Sequence, residues 1–332
     1  MSARVMTYAT GIEREPSVWD GATVLVTGGT GSLGEAFTRY ALAKLPVHAV
    51  RCFSRDEYKQ AMLGQRIRDD RLRLLLGDVR DRERLTRAMA GVDIVIHAAA
   101  LKRIDRLAHD PVEMVRTNVL GSINVMEAAI DCKVGRVLGV STDKQTLAAN
   151  TYGATKFLLE RLFVQGNAYA GSGPTRFACT RWGNVLGSRG SVLEVWKGQA
   201  MRGESFTLTN LEMTRFWITL EQACETICHA LHDMQGGEVF VPALPRARVL
   251  DLAEAYFGAL PPRVLTGLRP GGEKLHEDLI SPHETYDPWL HGGWIVRDGG
   301  ERSGLSIRSC DTPLETVESL RELLEQAAVP WP

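Results

Sequence analysis

The chain has 332 residues, enough for one large folded unit or two joined ones with an ample core. Lys and Arg number 39 against 40 Asp and Glu, a formal charge of -1 that argues against a nucleic-acid or membrane surface. Hydrophobic content of 44% and charged content of 24% suit a soluble enzyme, and no apolar run approaches the ~20 residues of a membrane span.

The N-terminus carries no signal-peptide pattern, and Cys52, Cys132, Cys179, Cys224, Cys228 and Cys310 are scattered, so a reduced cytoplasmic protein is expected. Cys224, Cys228 and His229 have metal-like spacing, but they fall on an apolar helix pattern. They read as core thiols, and no metal site is expected.

Residues 1–20 show no period and read as an N-terminal arm. Thr23–Thr27 is an apolar strand that runs into Gly28-Gly-Thr-Gly-Ser-Leu-Gly34 and then into a helix pattern from Glu35. A glycine loop between a strand and a helix binds dinucleotides, because its glycines admit the pyrophosphate and the helix N-terminus donates amides to it. Gly28, Thr30, Gly31, Ser32, Leu33 and Gly34 are therefore candidate cofactor contacts.

The next strand, His48–Phe53, ends in Ser54-Arg-Asp-Glu-Tyr-Lys59. An NAD enzyme places an acid here for the ribose hydroxyls. Ser54, Arg55 and Lys59 suit a 2′-phosphate instead and point to NADP, while Asp56 keeps NAD open. Leu72–Gly77 is the third strand, ended by Asp78 and Val79, with Asp78 able to accept from the adenine amino group. Val92–His97 is the fourth, followed by Ala98, Ala99 and Ala100, small enough for backbone to lie against a cofactor. His97 reads as a packed histidine, and Asn118 as a candidate cofactor contact that supports the strand ends or a water near the active centre.

Gly135–Val140 reads as a buried strand with Thr142, Asp143 and Lys144 at its C-terminal end, where open α/β sheets bind ligands. Tyr152 and Lys156 begin a helical pattern and share one face. An ammonium beside a phenol lowers the tyrosine pKa, and the phenolate can take a hydroxyl proton while hydride leaves the same carbon. A lone Tyr-x-x-x-Lys is common, and the upstream glycine loop gives this one its meaning.

Arg176–Arg181 is a sixth strand, followed by a Gly/Ser-rich loop from Trp182 to Ser191 that carries Asn184 and Arg189 and can cover a ligand. Met213–Thr219, a helix Glu221–Met234 and a strand Glu238–Val241 are candidates to return to the sheet. Beyond 243 the pattern is mixed, with Arg269 and Lys274 as cations for a diphosphate and Glu273 for a sugar hydroxyl. The alternation of strand and helix predicts an α/β fold, a Rossmann-like doubly wound parallel sheet with a smaller C-terminal substrate-binding domain. Residues 21–190 form the NAD(P)-binding part and 191–332 mainly the substrate part, with returning segments around 213–242.

Together these motifs resemble an extended short-chain dehydrogenase/reductase, and within it the inverting UDP-N-acetylglucosamine 4,6-dehydratases of pseudaminic-acid, flagellin-glycan and capsule pathways. The resemblance runs from about Thr23 to about Asp278. It rests on the glycine loop, Ser54-Arg-Asp-Glu57, Gly77-Asp-Val-Arg-Asp81, His97-Ala-Ala-Ala-Leu-Lys102, Ser141-Thr-Asp-Lys144, Tyr152-Gly-Ala-Thr-Lys156, Gly183-Asn184, Gly187-Ser-Arg-Gly-Ser-Val192, Met213-Thr-Arg-Phe-Trp-Ile-Thr219 and Glu273-Lys-Leu-His-Glu277.

The resemblance implies that Thr142, Asp143, Lys144, Tyr152 and Lys156 are catalytic, with Tyr152 and Lys156 also touching the cofactor. Tyr152 takes the C4 hydroxyl proton, a neutral Lys144 takes the C5 proton, and Asp143 protonates the departing C6 hydroxyl. This assignment needs the backbone to turn at Asp143 and the Lys144 pKa to fall through crowding with Lys156 or burial. Lys102 serves cofactor and substrate, and Asn184, Arg189, Arg215, Arg269 and Glu273 bind the nucleotide sugar. A homo-oligomer, dimer or hexamer, is implied.

The chain departs from that family around the sugar pocket. Gln145–Asn150 lacks a proline, Arg103, Ile104, Ala108 and His109 replace family residues, Glu194 stands where a proline is usual, and Arg269-Pro-Gly-Gly-Glu273 has gained a glycine. An altered sugar or nucleotide, as in a natural-product pathway, and the ordinary substrate both stay open. So do a UDP-sugar 4-epimerase, a 5,6-alkene-forming dehydratase and, lower in rank, a silent cofactor-binding regulator.

Overall fold

The computed structural model describes residues 17–103, 110–299 and 304–329. Its strands in chain order are β1 (Thr23–Thr27), β2 (Ala49–Ser54), β3 (Leu72–Leu76), β4 (Ile94–His97), β5 (Arg136–Val140), β6 (Arg176–Thr180), β7 (Asn184–Val185), β8 (Phe206–Leu208), β9 (Thr214–Ile218), β10 (Val239–Pro242), β11 (Arg246–Arg248), β12 (Arg263–Leu265), β13 (Asp278–Ile280), β14 (Thr285–Pro288), β15 (Gly293–Arg297) and β16 (Ile307–Arg308).

Nine of them form one sheet in the order β14-β15-β10-β6-β5-β4-β1-β2-β3. Every pairing from β3 to β10 is parallel, and β15 and β14 close that edge antiparallel. The sheet is doubly wound and Rossmann-like, as expected from the alternation of strands and helices. Between β1 and β4 the strand order reverses, which opens a crevice at their C-terminal ends.

β1 is buried along its whole length because parallel strands are covered on both faces. Leu25, Val95, Val137 and Phe177 pack with Phe163 and Met89 on one side of the sheet. Val24, Val26, Ile96 and Leu138 pack with Phe37 and Ile227 on the other. Cys224 and Cys228 lie on helix Leu220–Asp233 among that second set. A third core, around Trp196, Phe206, Trp217, Tyr256 and Leu320, belongs to the C-terminal half.

Several expectations need correction. Residues 17–20, expected in an N-terminal arm, pack on the fold: Trp19 is buried, its ring 6.1 Å from that of Phe37. Residues 1–16 lie outside the described residues. Met213–Thr219 does not return to the main sheet, since β9 sits between β7 and β11 in a sheet of its own. The main sheet instead gains β14 and β15 from residues that read as mixed, being short, half-buried and flanked by turns. The loop 182–191 is partly a strand, with Asn184 and Val185 paired to Trp217 and Ile218. Asn118 sits in a π turn, Arg116–Leu120, inside a run that is helical from Pro111 to Asp131.

Arg181, at the end of β6, is buried between Glu160 and Glu284, 2.7 Å from each, and donates to the Leu279 carbonyl at 2.8 Å. One guanidinium thus joins the tyrosine-bearing helix Thr151–Ala170, β6 and the segment that leads into β14. Breaking a buried pair by removing one partner costs about 3–5 kcal/mol, since the remaining charge stays buried. Arg181→Leu should lower unfolding free energy by about that amount in urea titration. A loss below about 1 kcal/mol would mean that Glu160 and Glu284 do not depend on it.

Candidate active site

The glycine loop is built for an anion. Gly31 precedes helix Ser32–Lys44 with no side-chain cap, which leaves the first helical amides to a ligand. Gly28 has φ +67, and a Cβ there would come within 2.9 Å of the Ala99 backbone. The loop therefore lies directly on the Ala98–Ala100 stretch after β4. Arg189 reaches the same place: its amide donates to Ser32 Oγ at 2.9 Å and its guanidinium to the Thr30 carbonyl. A residue expected on the sugar side stands over the phosphate loop.

At the adenosine end, Ser54 is buried and its oxygens accept from Gln60 Nε2 at 2.9 and 3.0 Å. Asp56, the acid that left NAD open, caps helix Glu57–Arg66 through the Lys59 amide and pairs with Lys59 Nζ at 2.8 Å. Its carboxyl is held below the usual range by those contacts with Lys59. Asp78 is clamped by Arg80 at 2.7 Å, with Arg55 at 3.8 Å. Burial pushes its carboxyl up, but the bonds from Arg80 outweigh burial and hold it low. Arg80 was not foreseen, and only its place two residues after Asp78 hints at it. Val79 is buried, its carbonyl tied to Asn124 at 3.0 Å.

The stretch after β5 does turn at Asp143. Thr142 caps one short helical turn, Asp143–Gln145, and the Asp143 amide donates to the Trp182 carbonyl at 2.9 Å. Thr142 Oγ1 donates to Asp143 Oδ1 at 3.0 Å, and Lys144 Nζ lies 2.9 Å from both Asp143 Oδ1 and Asn184 Oδ1. Asp143 is wholly buried, and its Oδ2 makes no hydrogen bond among the described residues. Asn150 caps the tyrosine helix through the Gly153 amide at 2.8 Å. A Cβ on Gly153 would sit 2.0 Å from the Lys144 carbonyl oxygen. That approach draws Tyr152 against the Asp143–Lys144 turn.

The charges around Tyr152 differ from expectation. Burial pushes its phenol up, the Asp143 carboxylate pushes it further, and a hydrogen bond with Thr142 opposes both. Lys156 does not bring it down. It is buried, lowered by that burial to about 8, and donates to the Val140 carbonyl at 2.7 Å. Lys144 Nζ has Asp143, Asn184 and Glu277 beside it. His97 is buried between Thr27 and Ser122, at 2.8 and 3.0 Å, and burial lowers it to about 3. The Asn118 side-chain amide makes three hydrogen bonds among the described residues, two with the Leu101 backbone and one to Thr155 Oγ1, and so braces the helix.

The sugar-side residues divide. Lys102 is lowered by desolvation and then by Arg189 and Lys144, which puts all three around one cleft. Arg269 and Glu273 form a pair, and the Arg269 amide also donates to Glu273 at 2.9 Å. Arg215 is buried, and it donates to the Thr214, Leu275 and Lys274 carbonyls at 2.7, 3.0 and 2.9 Å. It shapes the 273–275 backbone from beneath. Two of the departures meet here: Asn150 Nδ2 donates to the Gly272 carbonyl at 3.1 Å, and a Cβ on Gly272 would lie 2.0 Å from the Ala149 carbonyl oxygen. Lys274 Nζ reaches the Thr146 carbonyl at 2.7 Å. Ile104, Ala108 and His109 lie outside the described residues.

A doubly wound sheet with this glycine loop and the Tyr152–Lys156 helix defines an extended short-chain dehydrogenase/reductase. Within that class the chain belongs to the family described as polysaccharide biosynthesis protein, whose model matches residues 24–296. It is 40% identical over 274 residues, 81% of each chain, to the UDP-N-acetylglucosamine 4,6-dehydratase (inverting) of Campylobacter jejuni. It is 37% identical over 285 residues, 83% of each chain, to the UDP-glucose 4-epimerase of Rickettsia akari. The X-ray structure of Pen from Bacillus thuringiensis matches with a TM-score of 0.86 at 33% identity, covering 93% of this chain and 98% of that one.

The lowered Lys156 has a consequence for stability. Between its folded value of about 8 and its unfolded value near 10.4, the unfolded chain holds more protons, so Lys156 adds stability as pH rises. Below about 8 both states are protonated, and the cost of burying the ammonium is paid in full. The stability difference, wild type minus Lys156→Met, should rise by up to ~1.4 kcal/mol per pH unit across that window. Denaturant titrations of both proteins at several pH values would show it. A flat difference would place the Lys156 ammonium in a water-like setting.

Proposed function

We propose that the chain is a nucleotide-sugar 4,6-dehydratase that takes UDP-N-acetylglucosamine, uses NADP and inverts C5. The observation that carries this reading is the Asp143–Lys144 pair, 2.9 Å apart and turned against the tyrosine helix. Oxidation at C4 alone needs a tyrosine and a lysine. Elimination of the C5 hydrogen and the C6 hydroxyl also needs an acid and a base.

The glycine loop and uncapped helix fit a dinucleotide pyrophosphate. Arg55 beside Ser54, with Asp56 neutralised by Lys59, favours a 2′-phosphate over bare ribose hydroxyls. When bound, the nicotinamide takes a hydride from C4 and returns it to C6.

Tyr152, in hydrogen-bond reach of Thr142, accepts the C4 hydroxyl proton. Lys156, at about 8, keeps most of its charge at neutral pH and supports that transfer. Lys144 in its neutral form removes the C5 proton, made acidic by the 4-ketone. Asp143 protonates the C6 hydroxyl as it departs, and a proton delivered to the opposite face of C5 inverts it. Lys102, Asn184, Arg269 and Glu273 hold the nucleotide sugar, with Arg189 over the glycine loop and Arg215 shaping the 273–275 backbone.

A UDP-sugar 4-epimerase is the competing reading, favoured by the Rickettsia relative. It gives Asp143 and Lys144 no task. Incubation with UDP-sugars in deuterated water, read by mass spectrometry and proton NMR, separates the two. Loss of one water with one deuteron fixed at C5 is expected. An epimer of unchanged mass without deuterium would make the protein an epimerase.

Tyr152→Phe should cut turnover by about 10²–10⁴. Arg55→Ala should weaken NADP relative to NAD by about 10-fold, measured by titration of each cofactor. An unchanged ratio would remove Arg55 from cofactor choice.

A further inference from the structure

Glu277 was part of a motif but had no task in the reading above. It is 2% exposed and sits on the segment that enters β13. Its amide donates to Ser309 Oγ at 2.9 Å and its carbonyl accepts from the Ser309 amide at 2.8 Å, so the pairing of β13 with β16 fixes it from the far side. Its carboxyl faces the active turn. Oε1 lies 3.8 Å from Lys144 Nζ, and Oε2 lies 3.2 Å from Lys274 Nζ without hydrogen-bond geometry. Lys274 itself is held by the Thr146 carbonyl.

Lys144 is therefore bracketed by two carboxylates, Asp143 at 2.9 Å and Glu277 at 3.8 Å. The base at C5 must be an amine without its proton. Losing that proton to solvent would leave the cluster one proton short. Losing it to a neighbouring carboxylate would not.

The charged groups that face Glu277 are Lys144 and Asp143 from the turn after β5, Arg215 from β9 and Lys274 from its own segment. Burial raises the Glu277 carboxyl, which makes it a better proton acceptor than an exposed glutamate.

We propose that Glu277 receives the ammonium proton of Lys144, so that a proton-sharing Lys144–Glu277 pair is the base that acts at C5. The inference rests on the dehydratase reading and deepens it. The proton moves from Lys144 Nζ to Glu277 Oε1, across a gap that one water spans or a small swing of the lysine chain closes. The freed lone pair of Nζ takes the C5 proton, and the C–H electron pair passes into the 4-keto enolate. The cluster then holds one proton more than at rest. That proton passes from Lys144 to Asp143 Oδ1 and leaves with the C6 hydroxyl as water, while the C6–O electron pair goes with the oxygen. Glu277 returns its proton to Lys144. It acts through Lys144 and is a positioning residue for the proton.

The test is the pH profile of solvent-deuteron incorporation at C5, with UDP-N-acetylglucosamine and NADP, in wild type, Glu277→Gln and Glu277→Asp. Nicotinamide absorbance reports C4 oxidation in parallel. In the wild type the reactive pair has the same number of protons as the resting one, so exchange should be flat from about pH 6 to about pH 8. In Glu277→Gln the reactive state has lost a proton to solvent. Exchange should then be about 100-fold slower at neutrality and climb about tenfold per pH unit, with C4 oxidation preserved. Glu277→Asp should restore the flat profile at a reduced rate.

A Glu277→Gln profile parallel to that of wild type, or an equal loss in C4 oxidation and C5 exchange, would make Glu277 a structural anion and overturn the proposal. Wild type that reduces nicotinamide but takes no deuteron at C5 would fail the dehydratase reading itself, and the relay with it.

Discussion

Much of this site depends on one contact without room for a side chain: the Cα of Gly153 against the carbonyl oxygen of Lys144. The contact presses the first turn of a long helix onto a strand end. It places Tyr152 beside Asp143 and Lys144, which the chain order alone separates by eight residues or more. Everything else braces the two halves. The Asp143 amide is held by Trp182, Asn150 caps the helix, Asn118 ties Thr155 to Leu101, and Arg181 locks Glu160 from behind. The backbone of the Asp143–Lys144 turn is thus held from several sides.

The dinucleotide half was legible because its signals are local. A buried parallel strand is a short apolar run, and a glycine loop followed by a helix pattern needs no distant partner to be recognised. The alternation that predicted the sheet holds through β6, and β10 follows the expected return. What was misread depends on distant contacts. Nothing in Thr285–Pro288 or Gly293–Arg297 announces a place beside β10, because a sheet's antiparallel edge is set by partners rather than by its own pattern. Trp19 looked like part of a tail until Phe37 packed on it.

The site shows the same divide. Residue types were legible, and environments were not. Spacing put Tyr152 and Lys156 on one face, but it could not reveal that Lys156 turns to the Val140 carbonyl or that the Asp143 carboxylate raises the phenol. Arg189, Arg215 and Asn118 were all read as ligand contacts from their type. Arg189 crosses to the glycine loop, and the other two are engaged with backbone. Glu277 was overlooked because a carboxylate is informative only once its burial and its lysine neighbours are known.

The contact between Gly272 and Ala149 reaches beyond the present reaction. The proline-free segment 145–150 and the glycine-expanded segment 269–273 are far apart in the chain, yet each fills the space the other leaves. They behave as a single removable part. Transplanting one alone into a relative would set a side chain against a carbonyl or leave Asn150 without its acceptor. Transplanting both carries a self-consistent unit. Drift in such a chain would proceed by paired steps, with the extra glycine as the change that makes its partner tolerable.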